Sequence, residues 1–205
     1  MKKFKTIQES FWAGKFGDDY IKRNSYPKLI STSTVILSRI LSPVQKIQSV
    51  IEFGANIGNN LLAIRNILPN IELSAVEINE KAVLELKKIK KLKIYNQSIF
   101  DFRTDYKRDL VLVIGLLIHL EPRMLNLAYD IIYRTSKKYI CIMEYYNPVP
   151  VEVNYRGHKN KLFKRDFAGE MMDRFKNLKL VDYGFTYRRD NNWDFGDGTW
   201  FLLEK

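Results

Sequence analysis

Apolar residues in this chain fall into short solid runs, separated by stretches where they recur every three or four positions. The first solid run, Val50, Ile51 and Phe53, ends at Gly54. Ala55-Asn56-Ile57-Gly58 follows, and then Leu61, Leu62, Ile64, Ile67 and Leu68 take the spacing of one helix face. The pattern predicts a strand over 49–53, a tight turn, and a helix over 58–68 that stops before Pro69, because the residue ahead of a proline is pushed out of the helical region. Further strands are predicted over 71–77, 93–96, 110–114 and 139–144, with helices at 80–90, capped by Asn79, and at 123–135. The run 110–114 carries no polar residue, as a parallel strand covered on both faces requires. Residues 145–164 read as a loop longer than the usual connection. A helix from an Asp166 cap to 175 then precedes a strand over 179–185. An Asn/Asp/Gly-rich hairpin loop at 189–198 leads to the last strand, 200–203.

Ahead of this alternation lie a helix over 28–41, set off by Ser25-Tyr26-Pro27, and an amphipathic lead-in over 1–24. Phe11, Trp12, Phe16 and Tyr20 make the lead-in too apolar for a free tail, so it is expected to pack over the rest of the chain. Strands alternating with helices imply an α/β fold: a mostly parallel sheet of seven strands with helices on both faces, and one antiparallel strand from the terminal hairpin. The expected division is one domain, with residues 1–45 as a helical cap or lid on a Rossmann-like core of 46–205.

A strand, a glycine turn and a helix N-terminus let backbone N–H groups approach a ligand closely, at a helix end that favours negative charge. Two ligand readings compete. A dinucleotide turn wants glycines at 54, 56 and 59, and the chain has Gly54, Asn56 and Asn59. The S-adenosylmethionine (SAM) turn, E-x-G-x-G-x-G, is met by Glu52, Gly54 and Gly58, with Asn56 at the remaining position. Asn is the residue that best tolerates a positive φ after Gly, so that departure is mild. An acid at Glu52 suits a ligand whose amino-acid end carries an ammonium. A plain strand–turn–helix without ligand stays open. Ligands in open parallel sheets sit beyond the carboxyl ends of the strands. Glu77 ends the second strand, where a carboxylate accepts the ribose hydroxyls of an adenosine, with Ile78 beside it. Ser98 and Ile99 follow the third strand, on the adenine side. Gly115 and Leu116 follow the fourth, and Ala55 belongs to the turn itself.

Composition narrows the picture. The 205 residues, 24.2 kDa and 46% hydrophobic content fit one domain with its own core. No apolar run reaches the length of a membrane span and the N-terminus lacks a signal-peptide core, so the cytoplasm is the expected location. Cys141 stands alone, and His119 and His158 are the two histidines, which leaves no disulfide framework and no expected metal site. The net charge of +11 fits nucleic acid, an anionic surface, a phosphorylated substrate or simply a solvated surface. Its densest block, Lys87, Lys88, Lys90, Lys91 and Lys93, lies at a predicted helix end, where positive charge complements the helix dipole.

Several segments carry a family likeness: FWAGKFGDDYIKRN at 11–24, IEFGANIG at 51–58, GLLIHLEP at 115–122, EYYNPVPVEVNYRGHKNKLFKRDFAGE at 144–170, DYGF at 182–185 and TWFLLEK at 199–205. With them the chain resembles the class I SAM-dependent methyltransferases, and within those the methylases associated with pseudaminic acid biosynthesis. The resemblance implies a seven-stranded methyltransferase fold, SAM as donor and a place among bacterial surface-sugar functions. It names no acceptor.

Methyl transfer from SAM is an in-line displacement on an already activated group. The protein aligns the nucleophile, excludes water and, for a hydroxyl, takes a proton. His119 and Glu144 are the candidate bases, at the ends of the fourth and fifth strands. The segment 145–164 offers Tyr145, Tyr146, Asn147, Tyr155, Arg156, His158 and Lys161, aromatic and cationic groups that suit a sugar or nucleotide-sugar. Trp12, Tyr20 and Arg23 of the lead-in are expected to close the same cleft as a lid. A methyltransferase acting on RNA or protein, and a non-catalytic SAM-binding partner of a biosynthetic complex, are the competing readings.

Overall fold

The computed structural model describes residues 4–24, 27–193 and 195–205. The break expected at Ser25-Tyr26, the first three residues of the lead-in and Asp194 of the last loop lie outside the described residues.

The lead-in forms two helices, α1 (Ile7–Ala13) and α2 (Lys15–Arg23), broken at Gly14. A Thr6–Glu9 capping box starts α1. Helix α3 (Pro27–Leu41) follows. The core then alternates: β1 (Ser49–Phe53), α4 (Asn59–Ile67), β2 (Glu72–Glu77), α5 (Glu80–Leu86), β3 (Leu92–Asn96), β4 (Arg108–Ile114), α6 (Leu125–Thr135) and β5 (Ser136–Glu144). A hairpin of β6 (Val151–Tyr155) and β7 (His158–Lys164) comes next, then α7 (Phe167–Arg174), β8 (Lys179–Phe185) and β9 (Thr199–Glu204). The seven-stranded sheet has the order β3-β2-β1-β4-β5-β9-β8. Strand β9 runs antiparallel to both its neighbours, and the other pairings are parallel.

Alternation along each strand divides the interior into two cores. Val50, Leu73, Ala75, Leu110, Leu112 and Cys141 face α3, α4 and α5. Ile51, Phe53, Val111, Val113, Ile140 and Ile142 face α6, α7 and Leu162 of β7. Leu112 is wholly buried, and its truncation to Ala is expected to cost about 2–5 kcal/mol. The strand order reverses between β1 and β4, so a crevice opens beyond their carboxyl ends.

Two expectations need correction. Residues 145–164 are not a loop: β6 and β7 pair antiparallel, from Val151↔Lys164 to Val153↔Leu162 and, after a register shift, at Tyr155↔His158. Lys, Asn and His on the exposed positions hide the alternation of Val151, Val153 and Tyr155, and the turn is Arg156-Gly157 rather than a familiar Asn-Gly. Helix α5 ends at Leu86, short of 90; the amides of Lys88 and Ile89 donate three residues back, to Glu85 and Leu86, and Lys91 has φ +55°. The lysine block therefore sits on a turn, with Lys87, Lys88, Lys90 and Lys91 exposed. No helix among the described residues is long and apolar enough to cross a membrane.

Candidate functional site

The turn after β1 has positive φ at alternate positions: Gly54 (+75°), Asn56 (+47°) and Gly58 (+86°). This explains the side chains found there, since Asn enters that region more readily than other residues with a Cβ. The turn is tied to the end of β2. The amides of Gly54 and Ala55 donate to the Val76 carbonyl at 2.8 and 3.2 Å, and the Asn56 amide donates to Glu77 Oε2 at 2.7 Å. Glu77 Oε1 accepts from the Asn79 amide, also at 2.7 Å. Gly58 lies behind the turn: a Cβ there would stand 2.6 Å from Ile89 Cδ1 and 2.8 Å from Leu86 Cδ2.

Two cavities meet at this turn. The smaller, about 110 Å³, is walled by Gly54, Asn56, Glu77 and Ile78 on one side and Ser98, Ile99, Gly115 and Leu116 on the other. Gln8, Trp12, Gly17 and Tyr20 of the two lead-in helices roof it. The larger, about 560 Å³, continues from Gly54, Ala55, Asn56 and Gly115 toward Arg23, Glu144, Tyr145, Tyr155 and Arg156. Tyr20 and His119 line both, so the two form one cleft. Ser98 is buried, and its oxygen accepts from the Phe100 amide at 3.1 Å.

Glu52 departs from its expected place: it lines neither cavity. Its Oε1 accepts from Asn60 Nδ2 at 2.7 Å, and Asn60 Oδ1 in turn accepts from Ser33 Oγ at 2.9 Å, which ties α3 to the start of α4 behind the turn. Oε2 has no partner. Burial pushes this carboxyl up to about 8, opposed by the Asn60 bond and helped by the charge of Glu77.

His119 sits where the cavities join, its ring 4.5 Å from Trp12 and 5.0 Å from Tyr155 between centroids. Nδ1 lies 2.6 Å from the Lys161 carbonyl. A carbonyl only accepts, so Nδ1 carries the proton and Nε2 keeps the lone pair. Burial lowers the ring to about 4, against the raising effect of that bond, so the imidazole is neutral at pH 7. Glu144 is also buried, and it is not paired with a cation. Its Oε1 accepts from the amides of Leu116 (2.9 Å) and Leu117 (2.7 Å), and Oε2 has no partner. Burial raises it to about 8 despite those amides. It clamps the turn after β4 that presents Gly115 and His119.

Arg23 ends α2 with its guanidinium over the rings of Phe16 and Tyr20, at 5.1 and 5.4 Å. Its Nε and one terminal nitrogen are buried without a hydrogen-bond partner among the described residues. An orphaned cation beside the glycine turn fits the carboxylate of an amino-acid ligand. Trp12 Nε1 is likewise buried and unpartnered.

Four expected substrate residues do not reach the cleft. Tyr146 is exposed and packs on Phe201, and Asn147 Nδ2 donates to the Val149 carbonyl at 2.7 Å. His158 packs on Phe11 and Phe16, and Lys161 Nζ donates to the Ile7 carbonyl at 3.3 Å; both fasten the lead-in to the hairpin. Their residue types suit a ligand, but Tyr146 and Asn147 lie ahead of the β6–β7 hairpin, and His158 and Lys161 of β7 are engaged by α1 and α2. Conversely, Gln8 and Asn79 had no motif to announce them. Gln8 is buried in the smaller cavity, donating through Nε2 to the Asn160 carbonyl at 3.1 Å, with Oε1 unpartnered. Asn79 caps α5 as expected and also donates through Nδ2 to the Trp12 carbonyl (3.1 Å) and Asp18 Oδ1 (2.9 Å), latching lid to core. No cluster of three or more His, Cys, Asp or Glu among the described residues is placed to hold a metal.

No family model matches this chain, and no curated protein matches its sequence. Solved structures do resemble it. The Burkholderia thailandensis 1,6-didemethyltoxoflavin-N1-methyltransferase, with 1,6-didemethyltoxoflavin and S-adenosylhomocysteine (SAH) bound, superposes with a TM-score of 0.70 at 14% identity, over 96% of this chain and 86% of that one. The magnesium protoporphyrin IX methyltransferase of Synechocystis PCC 6803, with bound SAM, gives 0.69 at 10% identity, over 100% of both chains. The plantazolicin methyltransferase BpumL, in complex with SAH and a pentazolic desmethylPZN analog, gives 0.67 at 13%, over 97% of this chain and 94% of that one. At such identities the likeness is one of fold: the chain has the Rossmann-like architecture of these methyltransferases.

Proposed function

We propose that this chain is a SAM-dependent methyltransferase acting on a small-molecule acceptor, a sugar or nucleotide-sugar of the surface-glycan type that its resemblance to the pseudaminic acid-associated methylases suggests. The observation that carries the reading is the roofed cleft: the glycine turn and Glu77 in one arm, and a larger arm lined by Arg23 and by tyrosines.

The residues present fit SAM. Glu77 would accept from the ribose hydroxyls. Ile78 and Ile99 would flank the adenine with Ser98 at its edge, and Arg23 would face the methionine carboxylate. Bound SAM supplies an activated methyl group on a sulfonium. The chain's own part is to hold the acceptor in line and to keep water out, which Trp12 and Tyr20 do from the lid. His119 Nε2 accepts a hydrogen bond from the acceptor's hydroxyl or amine and receives its proton as the bond to the methyl forms. With its low basicity, most of that transfer comes late, when the attacking atom has become acidic. Glu144 works through the turn it clamps, fixing Gly115 and His119. We read residues 1–45 as the cap and 46–205 as the core of this one domain, acting in the cytoplasm.

Isothermal titration with SAH and with NAD tests the donor, and mass spectrometry for a gain of one methylene on a panel of sugars and nucleotide-sugars tests the acceptor. Binding of NAD without SAH ends the reading. Methylation of RNA but of no small molecule transfers it to a macromolecular substrate.

A further inference from the structure

Two guanidinium groups line the larger cavity, Arg23 from the end of α2 and Arg156 from the tip of the β6–β7 hairpin. Neither makes a hydrogen bond or ion pair among the described residues. Among the described residues the one acid in the lining, Glu144, is buried with Oε1 held by two amides. The cavity thus presents two cations to whatever fills it. A donor with a single carboxylate satisfies one of them, and Arg23 lies beside the glycine turn where that carboxylate belongs. The second remains.

The backbone at Arg156 is unusual for its residue type. The hairpin turns in two residues, Arg156 at φ +50° and Gly157 at φ +86°. Positive φ at both positions marks a type I′ turn, whose first central residue is ordinarily Asn, Asp or Gly. A long side chain held in the left-handed region is strained, and strain of this kind collects at functional sites, although Lys91 on its exposed turn shares it at φ +55°. Here the strained residue is a solvent-exposed arginine that lines the cleft with no partner among the described residues, in the same cavity wall as Tyr145 and Tyr155, whose rings offer faces for a sugar or base.

We infer that Arg156 is the anion anchor for the acceptor, and that the acceptor carries an oxyanion, a phosphate or a carboxylate, rather than being a neutral sugar. The inference rests on the methyltransferase reading only for the role left to Arg23. It predicts an opposition of effects that a merely structural arginine does not show. Arg156→Asn installs a residue the turn prefers, so the ligand-free protein should melt roughly 1–3 °C higher. The same change should weaken anionic acceptors roughly tenfold or more.

The test is a set of thermal melts on the full chain, with and without saturating SAH. UDP-N-acetylglucosamine, N-acetylneuraminic acid and N-acetylglucosamine present a diphosphate, a carboxylate and no charge. An anionic sugar should stabilise the wild type and the neutral one should not; whichever anionic sugar acts tells phosphate from carboxylate. In Arg156→Asn that response should fall away while the SAH shift stays. An unchanged anionic response in Arg156→Asn, equal stabilisation by all three sugars, or none by either anionic one overturns the inference. Absence of an SAH shift in the wild type overturns the donor reading instead, and the Arg156 comparison without SAH still decides this one.

Discussion

Glu77→Gln is the sharpest single perturbation of the donor site. The native carboxylate takes one backbone amide on each oxygen, Asn56 on Oε2 and Asn79 on Oε1, both at 2.7 Å. An amide of the same shape can accept on one side only. Its NH₂ end must meet a backbone N–H, leaving two donors face to face in a buried place. Hydrogen bonds to a charged group contribute about 1.5–3 kcal/mol, and a buried donor left unmet costs about 1–3 kcal/mol. A loss of about 2–3 kcal/mol is therefore expected, which in a chain of this size lowers the melting temperature by about 4–12 °C. SAH binding should weaken further, because the turn that Glu77 fixes and the ribose contact go together; roughly tenfold or more is expected. Differential scanning fluorimetry and isothermal titration on the folded variant measure the two separately. A folded Glu77→Gln protein with SAH affinity within about twofold of wild type would refute the reasoning. So would a variant as stable as the wild type.

Other expectations follow from the same geometry. Asn56→Gly should leave stability and SAH affinity equal or slightly improved, since φ is already +47°; a marked loss in calorimetry would mean the Asn side chain has a role of its own. Gly58→Ala should lower the melting temperature clearly, because its Cβ meets Ile89 and Leu86 at 2.6–2.8 Å and φ is +86°; an unchanged melt counts against the turn geometry. Glu52 and Glu144 are raised to about 8, so the folded state holds protons that the unfolded state has lost. Their contribution to stability is full below the usual carboxylate range, near pH 4.5, and is lost as pH rises toward 8. His119, lowered to about 4, acts oppositely and only as pH falls below about 6.5. Glu144→Gln, whose carbonyl still accepts from Leu116 and Leu117, should flatten the decline in melting temperature between about pH 6.5 and 8; the wild-type slope in that variant sinks the assignment. Neutralising Lys87, Lys88, Lys90 and Lys91 together should leave SAH binding and methyl transfer intact, and a loss of transfer alone would point to a polyanionic substrate.

The central strands were readable as apolar runs: 49–53 matches the structure at both ends and 110–114 reveals β4 except for its first two residues, while 179–185, which carries Lys179, Asp182 and Gly184, was placed by its β-forming residues and also matches at both ends. Those two include Arg108, wholly buried under the ring of Tyr106 at 3.6 Å and bonded to Tyr95 at 2.7 Å. No pattern argument places a charged residue there; only the neighbours that satisfy it do. The glycine turn and Glu77 were legible because backbone conformation and strand ends leave marks on local sequence. The acceptor side was less so. Tyr20, Arg23, Tyr145, Tyr155 and Arg156 reach the cleft, yet His158 and Lys161, close by in sequence and similar in chemistry, face the lid instead. What separates them is the pairing of β6 with β7, and pairing depends on a turn whose first residue is not one that turns favour. Glu52 illustrates the opposite error. A residue type that suited the ligand sits behind the turn, because side chains alternate and position 52 faces α4.

Asn79 links the lead-in helices to the glycine turn. Its amide is held by the carboxylate of Glu77, the same group that fixes the Asn56 amide of the glycine turn. Its Oδ1 accepts from the amides of Lys81 and Ala82 and so starts α5. Its Nδ2 reaches the Trp12 carbonyl and Asp18, the latter also bridged by Lys81 at 2.7 Å. One side chain therefore carries the position of Glu77 into the roof of the smaller cavity. On the proposed reading a ligand held by Glu77 would lie under Trp12 and Tyr20, which roof the smaller cavity. Lifting those helices would break the Nδ2 bonds but not those that Glu77 makes to the core. The glycine turn and Glu77 are thus held by the strand ends, while the lead-in helices are fastened by an exposed ion pair, by side-chain bonds of Asn79, Gln8 and Lys161, and by ring packing on the hairpin, each contact modest by itself.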